Sequence, residues 1–413
     1  MKYTLAQNRW YGEQPVEITL PDNWNAQFLS SGGDAYPALT REELKKRFQY
    51  AVGTKPIREL AKGHKQVAIV FDDLTRATPT QPIAEVLLEE LLAAGIQKEN
   101  IRFICGLGLH GAHMRNDFVR KLGEKIVREY AVFNHNPYES CVEVGVTPKG
   151  VKIEINAEFM SCDLRIGIGG LVPHPLNGFG GGGKLIMPGV ASAHTIYGTH
   201  LAKVQNISAP GKNPLSGSGN LSDDHFRSEV EACAKAAGLD FKIDALLNTR
   251  CEMYDIVMGD PIEAYYEGVK RAEGKYGVKL DGKKKVVIAN ANAKASEANI
   301  ALFTGMMALE PTGGDLVLVD FTPGQCVHYG CGPMGDAAGG KTYNGVKERP
   351  GLIKRLIVYS PYPDYTSALW FCKPEQLIWA ETWEEVMAVI SDNGAETTAG
   401  IFSDATLQFI EQQ

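Results

Sequence analysis

The sequence predicts an α/β fold with mostly parallel sheets, arranged as two α/β domains. Three observations carry that prediction. Short apolar runs of strand length recur, as strands buried on both faces require. Amphipathic stretches of helical period separate them, giving a strand–helix–strand order with right-handed crossovers. The composition breaks once, at KLDGKKK (279–285), where an apolar pattern gives way to a basic, loop-like one. That break separates an N-terminal domain, 1–275, from a C-terminal domain, 283–413.

The elements follow in order. VEITL alternates as a strand does, and Pro21 and Asp22 turn the chain. TREELKKRFQYAV is amphipathic, with Thr40 and Glu43 at capping-box spacing. KQVAIVFDD (65–73) reads as a buried parallel strand, and TQPIAEVLLEELLAAGI as the helix after it. NIRFICGLGLH is a second buried strand entering a glycine-rich turn. DFVRKLGEKIVREYAVF is expected to be one helix and CDLRIGIGGLV a third strand. The polar stretch 206–224 reads as a loop. A helix over SEVEACAKAAG, a strand over FKIDALLNT and a helix over DPIEAYYEGVKRAEGKYG complete the first domain. The second opens with KKVVIANA and continues through DLVLVDF, RLIVYSP and the helix TWEEVMAVISD.

The bulk properties exclude several classes. A formal charge of −7 argues against nucleic acid or an anionic membrane as partner. No apolar run approaches the roughly 18 residues of a membrane span. The opening residues lack the apolar stretch of a signal peptide, so a cytoplasmic protein is expected. The eight cysteines are scattered and form no C-x-x-C pair, which reads as reduced thiols. Cys326, His328 and Cys331 lie together in CVHYGC. A metal site there is conceivable; small residues in a glycine-rich loop are the preferred reading.

Ligands of open parallel sheets collect at the carboxyl ends of the strands. Three motifs follow the first three buried strands: DDLTRATP (72–79), GLGLHGAH (106–113) and GGLVPHPLNGFGGGGK (169–184). If those strands are neighbours, the motifs share one crevice. The third motif continues to His200 and packs His174, a glycine run, Lys184, His194 and His200 into one stretch. GFGGGGK satisfies the P-loop pattern G-x-x-x-x-G-K. Leu185 stands where a magnesium-binding hydroxyl belongs, and Pro188 interrupts the helix a P-loop needs, so that reading is set aside. A glycine-rich anion loop with a reactive lysine remains.

His110 and His113 form H-x-x-H in a turn, which suits one functional histidine and one bystander better than a zinc pair. Asp73, Thr75 and Arg76 end a strand. Arg76 can fork onto a carboxylate or phosphate, or these residues can simply cap a helix with an ion pair. His64, His135 and His225 carry no supporting pattern. His194 and His200 are six positions apart, so they face different sides of a helix and only one enters a site.

Together, DDLTR, GLGLH, PHPLNGFGGGGKLIMPG and TH resemble the nickel-pincer-nucleotide lactate racemase family, and the resemblance covers nearly the whole chain, from YGEQPVEITLP to the VYSPYPDY…TWEEVMAVI segment. It implies two α/β domains with an active site in the cleft between them. Lys184 would carry a pyridinium dithio mononucleotide through a thioamide bond, and His200 would bind the nickel. His110 and His174 would be the two acid/base histidines. Asp73, Thr75, Arg76, Gly181 and Gly182 would contact the cofactor, with Arg76 also on the substrate. The implied reaction takes the C2 hydrogen of a 2-hydroxy acid as hydride while a histidine takes the hydroxyl proton. Soft sulfur and imidazole ligands suit nickel. Separate maturation enzymes would build the cofactor.

Departures bear on the substrate. The family's lactate racemases carry Y-Q-x-x-K early in the second domain, and Thr304 and Met307 stand for the glutamine and lysine here. Those two positions are therefore assigned to substrate binding, and a 2-hydroxy acid other than lactate is expected. His113 falls where an arginine–proline pair is usual, and Gly180 replaces a common serine. The expected activity is a racemase or epimerase. The alternatives are an oxidoreductase that releases the keto acid, a histidine-ligated metal hydrolase and a non-enzymatic anion binder.

Overall fold

The computed structural model describes residues 1–7, 9–11, 14–175, 177–207, 219, 224–326 and 348–411. Two six-stranded sheets organise them. In spatial order the first holds Met253–Gly259, Phe241–Leu247, Leu164–Gly170, Val67–Asp72, Ile101–Gly106 and Ala131–Asn134. All neighbours are parallel except Phe241–Leu247 with Met253–Gly259. That reversal follows from a connection too short for a crossover. In it, Asn248 Oδ1 accepts from the N–H groups of Arg250 and Glu252, each at 3.0 Å. Counted along the chain the order is 6-5-4-1-2-3, a doubly wound sheet. Its switch point lies between Val67–Asp72 and Leu164–Gly170.

The second sheet runs Leu377–Ala380, Ile353–Tyr359, Gly314–Val319, Val286–Asn290, Thr398–Phe402 and Asn25–Leu29, all parallel. Val67–Asp72, Phe241–Leu247, Val286–Asn290 and Gly314–Val319 are buried at every position. This explains why they read as unbroken apolar runs: helices cover both faces. The three motif-bearing strands are neighbours, with Val67–Asp72 in the middle.

Three differences from the sequence reading have local causes. Asn25–Leu29 pairs with Thr398–Phe402, so a strand from the start of the chain lies in the second sheet. It buries only Leu29 fully, too weak a pattern to read. The single helix expected over DFVRKLGEKIVREYAVF is two, Arg115–Leu122 and Glu124–Glu129, followed by the edge strand Ala131–Asn134. Gly123 divides them at φ +82°, a left-handed conformation no helix interior accepts. The helix Ala193–Ile207 reaches into the stretch read as a loop, and most of the remainder of 206–224 lies outside the described residues. His328 and Cys331 also lie outside them. The capping box at Thr40 and Glu43 is present, with Thr40 N–H donating to Glu43 at 2.8 Å and Glu43 N–H to Thr40 Oγ1 at 3.2 Å. Among the described residues no helix is long and apolar enough to cross a membrane.

His135 is a core residue. Its Nε2 donates to Ala191 O at 2.9 Å, and its Nδ1 accepts from the Asn156 amide at 3.1 Å. Burial pushes it down to about 4, so the folded ring is neutral. An unfolded histidine titrates near ~6.5 and takes up the proton the native ring refuses. Stability is therefore complete above that value and falls as pH drops toward 4, by up to about 1.4 kcal/mol per pH unit. Unfolding free energy measured between pH 7 and 4 should flatten in a His135→Gln variant. An unchanged slope would show that other groups dominate.

Candidate active site

The switch points of the two sheets face each other. From the first, Val67–Asp72 runs into the turn that carries Asp73, Thr75 and Arg76. Asp73 Oδ1 accepts from the N–H of Thr75 at 3.0 Å and from its hydroxyl. The buried Lys121 holds the turn from behind, with its Nζ 2.8 Å from Asp72 Oδ1 and donating to the carbonyls of Asp73 (3.0 Å) and Arg76 (2.8 Å). Sequence reading missed Lys121. Its signal is a lysine on the buried stripe of a helix, beside Phe118 and Leu122.

His110 ends the neighbouring strand's turn, and its Nδ1 meets Asp73 Oδ2 at 2.6 Å. Burial works against its charge, but the Asp73 carboxylate outweighs burial and holds His110 well above its ordinary value. Burial likewise raises Asp73, and the opposing charge of His110 takes it below the usual carboxylate range. His113 lies beside this pair and is fully occupied with structure. Its Nε2 accepts the Leu74 N–H at 3.0 Å, and its backbone pairs with the Asn134 side chain at 3.1 and 2.8 Å. Burial lowers it, consistent with a neutral acceptor ring. A zinc site using His113 would cost Leu74 that partner.

Leu164–Gly170 leads to a small hairpin in which Pro173–His174 pairs with Gly178–Phe179. Lys184 returns from the glycine loop so that its Nζ stands 2.8 Å from His174 Nε2. Burial, then the neighbouring Lys184 and Lys294, hold His174 well below its ordinary value. Burial, then Arg76 and Arg227, do the same to Lys184. Gly181 and Gly182 were expected to contact a cofactor. Both have positive φ, +82° and +57°, and Cβ atoms there would lie 2.9 Å from Asp244 and 3.0 Å from Tyr265. The Gly182 N–H donates to Asp244 Oδ2 at 2.7 Å, so that donor ties the loop to the sheet instead of to an anion.

His194 is exposed and His200 is buried. His200 Nδ1 donates to Ile196 O at 2.9 Å, which leaves the ring's lone pair on Nε2. Its ring packs edge-on against Phe226 at 4.7 Å, and Lys184 Nζ lies 6.0 Å from the centre of the same Phe226 ring.

The second sheet contributes residues that sequence reading did not assign. Glu297 Oε2 accepts from Arg76 at 2.5 Å, and Lys294 Nζ donates to Pro173 O at 2.8 Å. Both follow the strand Val286–Asn290, at the carboxyl end where the first-domain motifs were also found. Arg227 donates to Phe179 O at 2.9 Å and stacks 3.6 Å from the Tyr265 ring centre. Thr304 and Met307 are not brought to this place. They sit on the helix Asn299–Ala308, Thr304 on its buried stripe. The Met307 carbonyl accepts from Lys283 and the Ala308 carbonyl from Lys284 N–H, at the amino ends of the strands. A helix antiparallel to its strands starts at the site and ends away from it. The argument against lactate built on these two residues therefore falls.

A sequence model of the lactate racemase N-terminal domain matches residues 11–211. The chain is 28% identical over 262 residues to the lactate racemase of Thermoanaerobacterium thermosaccharolyticum, covering 62% of this chain and 60% of that enzyme. It is 27% identical over 320 residues to the lactate racemase of Lactiplantibacillus plantarum, covering 75% of this chain and 73% of that enzyme. The lactate racemase apoprotein from T. thermosaccharolyticum superposes over 100% of both chains with a TM-score of 0.74 at 19% identity. Residues 11–211 thus resemble the lactate racemase N-terminal domain, and the whole chain shares the fold of the lactate racemase apoprotein. A Thermotoga maritima protein shares the same fold, with a TM-score of 0.66 at 17% identity over 92% of this chain and 100% of its own. The shared fold thus extends beyond the matched N-terminal segment.

The Asp73–His110 pair makes a direct prediction. Replacing the carboxylate in Asp73→Asn leaves burial as the main influence on His110, so its titration should move from above the ordinary histidine range to below it. NMR of the imidazole carbons against pH reads this shift. An unmoved His110 resonance would show that Asp73 does not set its charge.

Proposed function

We propose that this chain is a racemase or epimerase of a 2-hydroxy acid that works with a nickel-pincer nucleotide attached to Lys184. The observation that carries the reading is the opposite partnering of two histidines in one cleft, His110 Nδ1 2.6 Å from the Asp73 carboxylate and His174 Nε2 2.8 Å from the Lys184 amine. His110 is held protonated by Asp73, and His174 is held neutral by burial beside Lys184. Titratable groups pushed apart in this way are an acid and a base ready for use.

The residues present suit the group that the family resemblance implies. A lysine whose amine is driven toward its neutral form is the nucleophile that a covalent attachment requires. An imidazole with Nδ1–H fixed on a carbonyl presents Nε2 to a metal. Arg76, Lys184, Arg227 and Lys294 gather here, and among the described residues only Arg76 of these has a carboxylate partner. That surplus of positive charge suits an anionic, phosphate-bearing ligand.

When bound, the group supplies an electrophilic carbon that takes the C2 hydrogen with its electron pair and gives it back. The protein residues do the rest. His174, neutral, accepts the hydroxyl proton of one enantiomer as the C2–O bond becomes a carbonyl. His110, protonated, returns a proton to that oxygen when the hydrogen arrives on the opposite face. The reverse direction exchanges the two roles, which is why two histidines are needed. Asp73 keeps His110 oriented and charged, and Lys121 keeps the Asp73 turn in register with the strand.

Protein made in cells that synthesise the cofactor should carry added mass on Lys184 and interconvert the enantiomers of a 2-hydroxy acid. His110→Ala and His174→Ala should each lower the rate by about 10²–10⁴-fold. Activity retained in Lys184→Ala, or an unmodified Lys184 from such cells, would overturn the reading. Net accumulation of keto acid would replace the racemase with an oxidoreductase.

A further inference from the structure

The Arg76 guanidinium is bonded at one corner. Its Nη1 donates to Glu297 Oε2 at 2.5 Å, to Thr75 Oγ1 at 2.9 Å and to Thr75 O at 3.1 Å. Among the described residues nothing accepts from its Nε or Nη2. Arg58 and Arg355 pair differently. Arg58 grips Glu90 with Nε and Nη2, at 2.7 and 2.8 Å. Arg355 grips Asp315 with the same two nitrogens, at 2.9 and 2.5 Å. Its other edge takes Asp392, from Nη1 at 2.9 Å and from Nη2 at 2.7 Å. One guanidinium of this chain therefore serves two carboxylates, one on each edge. Arg76 holds a single carboxylate and has not spent the edge that gives two parallel bonds.

A stopper that a substrate carboxylate pushes aside would be free to swing. Glu297 is not. It ends the short helical turn Ala295–Glu297, and its N–H donates to Lys294 O at 2.9 Å. A second loop clamps that turn. Gln325 Oε1 accepts from the Ala298 N–H at 3.1 Å, and Gln325 Nε2 donates to Asp320 Oδ2 at 2.8 Å. The Cys326 N–H donates to Ser296 O at 2.7 Å. On the opposite side Thr75 is tied to Asp73 through its N–H and its hydroxyl. Both acceptors of Nη1 are thus held in place, one from each sheet.

We propose that Glu297 is a positioning residue: with Thr75 it pins Nη1 of Arg76 and so presents the Nε–Nη2 edge to the carboxylate of the 2-hydroxy acid. Glu297 touches no reacting atom and acts through Arg76. Charge alone argues the other way, because two carboxylates on one guanidinium repel each other. Arg355 accommodates that arrangement with Asp315 and Asp392. At Arg76 the gain is orientation, since a guanidinium fixed at one corner loses less freedom when it takes its second partner. This rests on the racemase reading for the identity of the substrate, but the aiming of Arg76 is a statement about any carboxylate.

The test uses the full chain, without cofactor for binding and with it for rates. Calorimetric titration with oxalate reads the carboxylate site in the cofactor-free protein. Glu297→Ala releases Nη1, and oxalate should bind about tenfold or more weakly, although a negative charge has left the cleft. Glu297→Gln keeps an acceptor for Nη1 without the charge and should restore most of the binding. In the loaded enzyme Glu297→Ala should raise KM for the acid that is turned over by more than it lowers kcat. On an Arg76→Lys background, Glu297→Ala should weaken oxalate binding far less than it does in the wild type, because one residue acts through the other. An equal loss on both backgrounds would show a merely structural glutamate and overturn the proposal. Oxalate binding that is unchanged in Glu297→Ala, or tighter in either Glu297 variant, would overturn it while leaving the racemase reading intact. A wild type that binds no oxalate would overturn it as well. Glu297-dependent oxalate binding in a loaded enzyme that interconverts no 2-hydroxy acid would uphold the aiming of Arg76 and overturn the racemase.

Discussion

The site depends on one constraint: the carboxyl ends of two parallel sheets meet, and more positive than negative charge is buried there. Parallel strands direct their following turns to one edge, so each sheet delivers its polar residues to a single line. Two such lines facing each other bring Arg76, Lys184 and Arg227 from one side against Lys294 and Glu297 from the other. Glu297 compensates Arg76. Little compensates the rest, and the low-dielectric surroundings respond by pushing Lys184 and His174 toward their neutral forms. A neutral amine and a neutral imidazole in contact are what this charge surplus produces.

Asp73 is the counterweight. Placed one residue past the central strand, it is buried, bonded by Thr75 and paired with His110. The same desolvation that strips charge from Lys184 strengthens this ion pair, since a buried carboxylate with a cation at 2.6 Å has no competing water. One cleft therefore holds two histidines with opposite charge, and neither state requires an unusual backbone. Behind them Lys121 and Asp72 form a second buried pair that keeps the turn in place. The glycine loop is likewise held by Asp244 and Lys242, below the reacting groups.

Much of this was legible in the residues. The buried strands announced themselves because both their faces are covered, and the capping box at Thr40 did so because its chemistry is local. The three strand-end motifs could be placed in one crevice because parallel sheets leave few alternatives. The edge strands were harder. Asn25–Leu29 buries too little apolar surface to show a period, and Gly123 splits a helix that periodicity alone runs through. Lys294 and Glu297 also escaped notice, since a lysine and a glutamate after a strand look like ordinary solvated residues. Thr304 and Met307 drew attention for what they replace, yet their helix carries them toward the wrong end of the sheet.

The sequence by itself determined the fold class, the resemblance to lactate racemases and the first-domain motifs that meet at the cleft: His110, His174, Lys184, His200 and the Asp73 turn. Those follow from strand pattern and motif, which are properties of neighbouring residues. Only the tertiary structure decided the charge that His110, His174 and Lys184 favour, the service of His113 to the Leu74 amide, and the entry of Lys294 and Glu297 into the cleft. Charge state depends on burial and on partners distant along the chain, such as Arg76 and Glu297. Those distances exist only after the two sheets have closed on each other.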